Sequence, residues 1–289
     1  MTRVLVLGET GMLGSMVAAV LEARDDLDVV ACGRTGPHAL DACHDDPAGV
    51  LDAVRPEWVV NAIGIVKPRI DARSPASIEQ AIEVNARFPQ RLAQAAAARD
   101  ARVVHAATDC VFSGRDGLYD ETAPHDCDDV YGQSKSLGEA PQEHVVNLRC
   151  SIIGPERSSP PRSLLGWLLS QPHGARLNGY VDHRWNGITT LHFAHLCAGI
   201  VRGEAPAGGT VHVVPQDVVT KAELLALLAR AYGREDLEIV PGPSPAPVDR
   251  SLATLAPERN EALWRAAGYS RPPTIEAMVG ELAHVPARA

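Results

Sequence analysis

Three side chains with complementary chemistry follow one another along the middle of the chain. Tyr131 and Lys135 are four residues apart, so a helix places both on one face, about one turn from each other. A tyrosine titrates near ~10 in water, and a lysine cation beside it favours its ionised form. Thr108 follows the apolar run Arg102–Ala107, at the end of a predicted strand, where parallel sheets bind ligands. A hydroxyl donor, a proton-transferring acid and a cation together suit the polarisation and protonation of one carbonyl oxygen.

The beginning of the chain carries a second chemical signal, three glycines spaced by three after the apolar run Val4–Leu7. Glycine at these positions allows a tight turn, close approach of the backbone to a pyrophosphate, and close packing of the following helix on the strand. The amino end of that helix presents unpaired N–H groups and its positive dipole end to the phosphates. We therefore predict a dinucleotide site whose contacts are Gly8, Thr10, Gly11, Met12, Leu13 and Gly14.

One arginine predicts which dinucleotide is bound. Arg34 follows the second predicted strand, twenty residues after Gly14, where NAD-binding enzymes place an acidic side chain for the ribose hydroxyls. An arginine there suits a 2′-phosphate instead. We therefore predict that NADP is the coenzyme, with NADPH preferred and NAD as the alternative. A solvated loop arginine is the other interpretation of Arg34.

Other side chains support weaker predictions. The segment Tyr180–Gly187 brings an aromatic ring, an arginine and an amide together and is a candidate contact for a sugar nucleotide. His192 and His195 are three residues apart, but no third ligand or H-E-x-x-H pattern accompanies them, so we predict no metal site. Two arginines can hold a pyrophosphate through bidentate hydrogen bonds, and six loop arginines are candidates for such a pair. They are Arg69, Arg73, Arg157, Arg162, Arg176 and Arg184.

The glycine triplet and the tyrosine–lysine pair, together with the segments Thr108–Gly114 and Asn85–Pro89, resemble the extended short-chain dehydrogenase/reductase family. Within that family the chain is most similar to the dTDP-4-dehydrorhamnose reductase branch. The similarity runs almost end to end, since Leu148–Gly154 and Gly268–Leu282 also resemble that branch.

The resemblance implies a nicotinamide coenzyme on the glycine triplet, a sugar nucleotide as substrate, and Thr108, Tyr131 and Lys135 as the catalytic group. It also implies that Tyr131 and Lys135 contact the coenzyme. The same holds for a strand-end loop, formed by Asn61, Ala62, Ile63 and Gly64, and for Asn85. Asn85 equally suits a helix-packing amide. The candidate substrate contacts are Lys67, Asp109, Cys110, Val111, Arg184, Trp185 and Asn186.

One departure from the family pattern bears on the reaction. Dehydratases of the family place a glutamate two residues after the threonine, where this chain has Cys110. The resemblance therefore implies reduction rather than elimination of water. Rhamnose reductases usually carry a tyrosine at the same position, so Cys110 leaves the sugar open.

Three functions stay open on the sequence. The first is NADPH-dependent reduction of a 4-keto (deoxy)sugar nucleotide, in which Tyr131 protonates the oxygen while hydride arrives at carbon. The second is a sugar-nucleotide 4-epimerase that retains NAD, which Arg34 disfavours. The third is a non-catalytic, coenzyme-binding regulatory subunit, because fold alone does not fix function. The complete catalytic set favours an enzyme.

The elements that must position these residues alternate between strands and helices. The main helical pattern is Ser77–Arg99. Alternation predicts an α/β fold, a doubly wound parallel Rossmann sheet whose ligands bind beyond the carboxyl ends of the strands. The strand-like runs are Val4–Leu7, Leu27–Ala31, Trp58–Ile63, Arg102–Ala107 and Val145–Leu148.

Proline-rich breaks after Arg149 predict a second, smaller unit. Residues 1–150 form the predicted NAD(P)-binding Rossmann domain, and residues 151–289 form mostly a discontinuous substrate-binding lobe. We expect residues 188–216 to return to the Rossmann sheet through a helix at Thr189–Val201 and a strand at Val211–Val214.

Composition excludes several classes of function. A formal charge of −9 over 289 residues argues against nucleic-acid binding, which depends on clustered lysines and arginines. No apolar run approaches the ~20 residues of a membrane span, and Gly8, Glu9 and Gly11 interrupt any leader peptide. Six scattered cysteines without C-x-x-C spacing indicate reduced thiols. We expect a cytoplasmic protein without membrane or nucleic-acid partners, and a homodimer stays open.

Overall fold

A parallel sheet forms the centre of the protein. The computed structural model describes residues 1–156, 160–205 and 208–286. Within these residues the central sheet has six strands, all paired in parallel. Their spatial order is β10 (Gly209–His212), β5 (Val145–Arg149), β4 (Arg102–Ala107), β3 (Trp58–Asn61), β1 (Thr2–Leu7) and β2 (Leu27–Cys32).

Helices cover both faces of this sheet. A π-helical turn, Glu83–Arg87, joins α3 to α4, and short 3-10 turns lie at Lys67–Arg69 and Asp109–Val111. The helices of the described residues are α1 (Met12–Glu22), α2 (Pro47–Val54), α3 (Pro75–Ile82), α4 (Phe88–Ala97), α5 (Val130–Gly138), α6 (Leu164–Leu169), α7 (Thr190–Val201), α8 (Lys221–Ala231), α9 (Pro257–Ala266) and α10 (Ile275–Ala283).

Short strands after β5 form small separate sheets. The strand β8 (His183–Trp185) lies between β11 (Val219–Thr220) and β13 (Val248–Asp249). The remaining pairs are β7 (Arg176–Tyr180) with β12 (Glu238–Gly242), and β6 (Ile152–Ile153) with β9 (Ile188–Thr189).

Alternation along β1 explains the layers of the molecule. Val4 and Val6 belong to one buried cluster with residues of α1 and α7, whereas Leu5 and Leu7 belong to another with residues of α2 and α4. Successive side chains of a strand point to opposite faces, so an uninterrupted apolar run implies burial on both sides. The prediction of a doubly wound parallel α/β sheet is confirmed.

Some predicted boundaries were wrong. The strand β3 ends at Asn61 rather than Ile63, because the Asn61 side chain accepts a hydrogen bond from the Ile63 N–H at 3.1 Å and turns the chain. The predicted helix Ser77–Arg99 is interrupted by the π-helical turn. The last sheet strand occupies Gly209–His212, two residues before the predicted Val211–Val214. Across the residues that the structure describes, no helix is both long and apolar enough to cross a membrane.

Candidate active site

The three glycines form a tight strand-to-helix turn. Gly8 has a φ of +90°, a left-handed conformation that L side chains rarely adopt. A Cβ atom on Gly14 would lie 2.1 Å from the Gly8 carbonyl oxygen, so the third glycine is required for α1 to pack against the end of β1. Gly11 is the N-cap of α1, and Met12 and Leu13 form its first turn. The amino end of α1 therefore lies directly beside the glycine turn.

A cavity of about 480 Å³ opens beside this turn. Gly8, Thr10 and Gly11 line it from the glycine turn, and Ile63 and Gly64 line it from the loop after β3. Its volume lies within the range of small-ligand sites. Ala62 packs this loop against the glycine turn, because the Ala62 backbone would lie 3.1 Å from a Cβ atom on Gly8. The glycine turn, the helix end and the cavity fit the phosphates and adenosine of a dinucleotide.

Charged side chains surround the same cavity. Arg34 lies on its wall just beyond β2, together with Arg69 and Arg162. Asp41 also lines it, and hydrogen bonds from the Cys43 N–H and the His44 side chain lower the pKa of the Asp41 carboxyl. Of the loop arginines predicted to bind a pyrophosphate, Arg69 and Arg162 are thus brought into the cavity. Arg157 lies outside the described residues.

The helix α5 carries Tyr131 and Lys135 and is held close to the end of β4. The Asp129 side chain caps α5 by accepting a hydrogen bond from the Gly132 N–H at 2.9 Å. A Cβ on Gly132 would lie 2.2 Å from the Cys110 carbonyl oxygen, and one on Gly138 would lie 2.0 Å from that of Asn85. Two glycines therefore let α5 approach the backbone on both sides.

Thr108 and Tyr131 meet at this contact. Thr108 caps the 3-10 turn after β4, because its Oγ1 accepts a hydrogen bond from the Cys110 N–H at 3.2 Å. Burial, together with the neighbouring Cys110, raises the pKa of Tyr131, and a hydrogen bond with the Thr108 side chain acts in the opposite direction. The phenol is therefore protonated at neutral pH and can donate its proton.

Lys135 extends from α5 into the sheet. Its Nζ donates to the Ala106 carbonyl oxygen at 2.7 Å and lies 3.3 Å from Nε2 of His105. The other ring nitrogen of His105, Nδ1, lies 3.1 Å from Nδ2 of Asn61. Burial lowers the pKa of Lys135 to about 8, opposed by Glu139. The lysine is thus connected through the sheet to the loop that lines the cavity.

Asn85 joins the same loop to α5. Its Oδ1 accepts a hydrogen bond from the Ile65 N–H at 2.8 Å, while its Nδ2 donates to the Ile65 carbonyl at 2.9 Å and to the Ser134 hydroxyl at 3.2 Å. All of these partners are structural, so the amide ties the cavity wall to the helix that carries Tyr131.

Three candidate substrate residues lie around Thr108 and Tyr131. Asp109 is buried beside Thr108, and desolvation raises its pKa against the opposing charge of Arg250. Burial and Asp109 raise the pKa of the Cys110 thiol to about 12, so it is neutral. Lys67 forms an ion pair with Asp129 at 2.8 Å, at the amino end of α5. Polar groups therefore converge on the tyrosine from two loops.

Of the other candidates, Val111, Trp185 and Asn186 make packing contacts within the fold. Val111 is fully buried in an apolar cluster with Leu252. The Asn186 amide bonds the Leu252 backbone through both of its ends, at 2.7 and 2.9 Å. Trp185 donates to the Ser151 hydroxyl, whereas Arg184 is exposed and lies 3.6 Å from a carboxylate oxygen of Asp249.

His105, Arg250 and the pairing of Asp129 with Lys67 were not predicted from the sequence. His105 stands inside a mostly buried strand that also begins with Arg102, so a polar residue there was no distinctive local signal of a functional contact. Arg250 donates to the Phe112 carbonyl at 2.8 Å from a distant part of the chain, for which the sequence carries no local signal.

Comparison with known proteins agrees with the fold and the motifs. The chain matches the RmlD substrate binding domain over residues 1–251. It belongs to this family. The similarity to extended short-chain reductases inferred from the motifs is thereby confirmed.

Three curated relatives differ in their described activities. A dTDP-4-dehydrorhamnose reductase of Aggregatibacter actinomycetemcomitans is 32% identical over 141 residues, which cover 48% of this chain and 46% of that protein. A dTDP-4-keto-6-deoxy-D-glucose reductase of Streptomyces niveus is 28% identical over 93% of this chain and 92% of its own length. Methionine adenosyltransferase 2 subunit beta of Danio rerio is 26% identical over 83% of this chain and 76% of its own. The alignment with the first relative thus spans about half of each protein.

Solved structures share the fold. A dTDP-4-dehydrorhamnose reductase of Clostridium acetobutylicum superposes with a TM-score of 0.76 at 20% identity, covering 97% of this chain and 98% of the other. The enzyme of Bacillus anthracis, solved in complex with NADP, gives a TM-score of 0.76 at 17% identity and covers 98% of both chains.

Proposed function

We propose that the protein is an NADPH-dependent reductase of a 4-keto-6-deoxy sugar nucleotide. The observation that carries this proposal is the close packing of α5 against the turn after β4, which brings Tyr131 to Thr108, with Lys135 one turn further along the helix. Two curated relatives named as reductases of such sugars support it. The arginines that line the cavity beside the glycine turn support a coenzyme that carries a 2′-phosphate.

Each catalytic side chain has a separate role in this reaction. NADPH supplies the hydride when it is bound. Tyr131 holds a proton on its hydroxyl and donates it to the carbonyl oxygen as negative charge develops there. Thr108 places a second hydroxyl at the same oxygen and stabilises that charge. Lys135, whose Nζ donates to the Ala106 carbonyl oxygen, would hold the ribose of the coenzyme when the coenzyme is bound.

We also propose that the two parts of the chain bind different ligands. Residues 1–150 bind the coenzyme, and residues 151–289 are mostly a substrate-binding lobe. The helix α7 and the strand β10 lie within the 188–216 segment assigned to the sheet, and β10 pairs with β5. Arg250 reaches from this lobe toward Asp109 and supports a substrate site between the two parts. A reaction that consumes NADPH and a sugar nucleotide suits the cytoplasm, and sedimentation measurements would decide whether the enzyme is a homodimer.

A second candidate function is a non-catalytic regulatory subunit. The observation that favours it is the similarity to an adenosyltransferase subunit over 83% of this chain. Such a subunit would bind the coenzyme and turn over no sugar.

The stoichiometry of turnover tests the proposal. With a dTDP-4-keto-6-deoxy sugar, the absorbance of NADPH should fall mole for mole with the product formed. Tyr131→Phe removes the transferable proton and should lower kcat about 10²- to 10⁴-fold while coenzyme affinity stays unchanged. Tyr232→Phe, at the far end of α8, is the matched control and should retain wild-type kcat.

Two results would overturn the proposal. Interconversion of two hydroxyl sugars without net consumption of coenzyme would establish the epimerase. Tight coenzyme binding with no turnover across a panel of keto sugars would establish the regulatory subunit.

A further inference from the structure

Glu9 is a charged residue inside the glycine motif that the proposed reaction does not use. It follows Gly8 directly, and the N–H groups of both residues donate to the Cys32 carbonyl oxygen, at 2.9 Å from Gly8 and 3.3 Å from Glu9. Cys32 is the last residue of β2, so these bonds fasten the glycine turn to the end of that strand. The Glu9 side chain is partly buried at this junction.

The Glu9 carboxylate lies at the carboxyl end of β2. A Cβ atom on Gly33, the residue after the strand, would be 3.0 Å from Oε1 of Glu9 and 3.4 Å from Cγ2 of Thr10. The glycine at position 33 thus leaves space for the carboxylate. Burial, together with the negative charge of Glu9, raises the pKa of the Cys32 thiol to about 11, so this charge also acts on the last residue of the strand.

The end of β2 borders the cavity beside the glycine turn. Gly33 and Arg34 line that cavity from the strand end, and Thr10 lines it from the turn. The carboxylate of Glu9 therefore lies over the residue that precedes Arg34. Among the described residues, none forms a hydrogen bond or an ion pair with the Glu9 side chain. Its oxygens are thus not committed to the fold and can accept hydrogen bonds from a ligand.

A carboxylate and a guanidinium at this point recognise different forms of the ribose. NAD-binding enzymes place an acidic side chain at the end of the second strand, where it accepts a hydrogen bond from the ribose 2′-hydroxyl. In this chain the strand continues into Gly33 and Arg34, and the carboxylate comes from the neighbouring glycine turn instead. A carboxylate only accepts hydrogen bonds, so it suits a 2′-hydroxyl and repels a 2′-phosphate, which Arg34 attracts.

We propose that Glu9 is a specificity-determining residue for the coenzyme, whose carboxylate accepts a hydrogen bond from the ribose 2′-hydroxyl of NADH and repels the 2′-phosphate of NADPH. Glu9 thereby opposes Arg34. Because Arg34 bonds the phosphate directly, whereas Glu9 acts on it through charge alone, a net preference for NADPH remains but is smaller than Arg34 alone would produce. The inference deepens the proposed function and rests on its coenzyme site, not on the identity of the sugar.

Titration of both coenzymes in the absence of a sugar tests this role. Glu9→Gln keeps the size of the side chain and one carbonyl acceptor but removes the charge, so NADPH should bind about tenfold more tightly while the Kd of NADH changes less than about threefold. Glu9→Ala removes the acceptor as well, so NADPH should again bind more tightly, whereas NADH should bind about tenfold more weakly. The matched control is Glu235→Gln, which removes the same charge at an exposed position between α8 and β12 and should leave both affinities unchanged.

The opposite responses of the two coenzymes separate specificity from packing. If Glu9 only stabilised the glycine turn, both variants would weaken NADPH and NADH by the same factor and lower the Tm of the coenzyme-free protein. Equal changes for the two coenzymes, or no change in Glu9→Gln, would overturn the proposal. Failure of the wild type to bind either coenzyme would overturn it together with the coenzyme site. Coenzyme binding without turnover of any keto sugar would remove the reductase function alone, and the shift in the affinity ratio would still support the role of Glu9.

Discussion

Tyr131 keeps its proton because burial opposes the phenolate more strongly than Thr108 favours it. The proposed reduction needs an acid at this position, so the protonated form is the useful one. Lys135, whose pKa burial lowers to about 8, can change its charge close to neutral pH. The two side chains are thus shifted in opposite directions by the same physical cause, the cost of burying a charge.

Arg34 provides the first test of coenzyme choice. We expect Arg34→Ala to weaken NADPH binding about 10- to 150-fold and NADH binding far less, because one charge-assisted hydrogen bond to a phosphate is worth about 1.5–3 kcal/mol. Fluorescence titration of both coenzymes measures the ratio. The control is Arg176→Ala, since Arg176 pairs with Glu238 on β7 and β12, away from the cavity lining. Equal affinity of the wild type for both coenzymes would show that Arg34 does not read the 2′-phosphate.

The strands of the central sheet were predictable because each is a local apolar run. Predicted and observed bounds of β1, β2, β4 and β5 agree within two residues. The pairs outside the central sheet were not predictable, because Arg176 of β7 pairs with Glu238 of β12 and no local pattern joins such distant segments. The π-helical turn was missed because its Asn85 is fixed by Ile65 and Ser134, which are contacts of the folded chain.

The candidate site divides in the same way. Thr108, Tyr131 and Lys135 could be proposed from spacing, since one helical turn brings the last two together. His105 could not, because a histidine in an apolar strand is indistinguishable from a core residue until its partners are known. The roles of Val111 and Asn186 were equally hidden, since burial against Leu252 is a property of the fold.

The close approach of α5 to the turn after β4 leads to a second test. Gly132→Ala would place a Cβ 2.2 Å from the Cys110 carbonyl oxygen and 2.8 Å from the Cys127 sulfur. The helix must move outward, which should cost about 1–3 kcal/mol of unfolding free energy and lower kcat by separating Tyr131 from Thr108. Urea unfolding and steady-state kinetics measure the two effects.

A matched glycine provides the control for this substitution. Gly49 lies inside α2, and a Cβ there would meet nothing within 4 Å. Gly49→Ala should therefore stabilise the protein by about 0.4–1 kcal/mol and leave kcat unchanged. If Gly132→Ala behaved like Gly49→Ala, the packing of α5 would not set the active-site geometry.

Several histidines are buried uncharged in different parts of the molecule. His105, His192 and His212 each have 2% or less of their surface exposed. Burial lowers the pKa of all three, to about 3 for His192, where His195 adds to the effect. Each forms hydrogen bonds that suit a neutral ring. Nε2 of His212, for example, lies 2.7 Å from the guanidinium of Arg149, which donates to it.

These histidines should make the fold sensitive to mild acid. Such a histidine has an ordinary pKa of 6.5 in the unfolded chain and a lower pKa in the folded protein, so between these two values it takes up a proton on unfolding. Its contribution to stability is therefore complete above pH 6.5 and is lost as the pH falls below 6.5. Each such group adds up to about 1.4 kcal/mol of unfolding free energy per pH unit in that window. Urea unfolding between about pH 7.5 and about pH 5, above the range where most carboxyls titrate, measures this slope. His192→Gln should reduce the slope by about one proton. An unchanged slope in His192→Gln would mean that this ring is not held neutral by the fold.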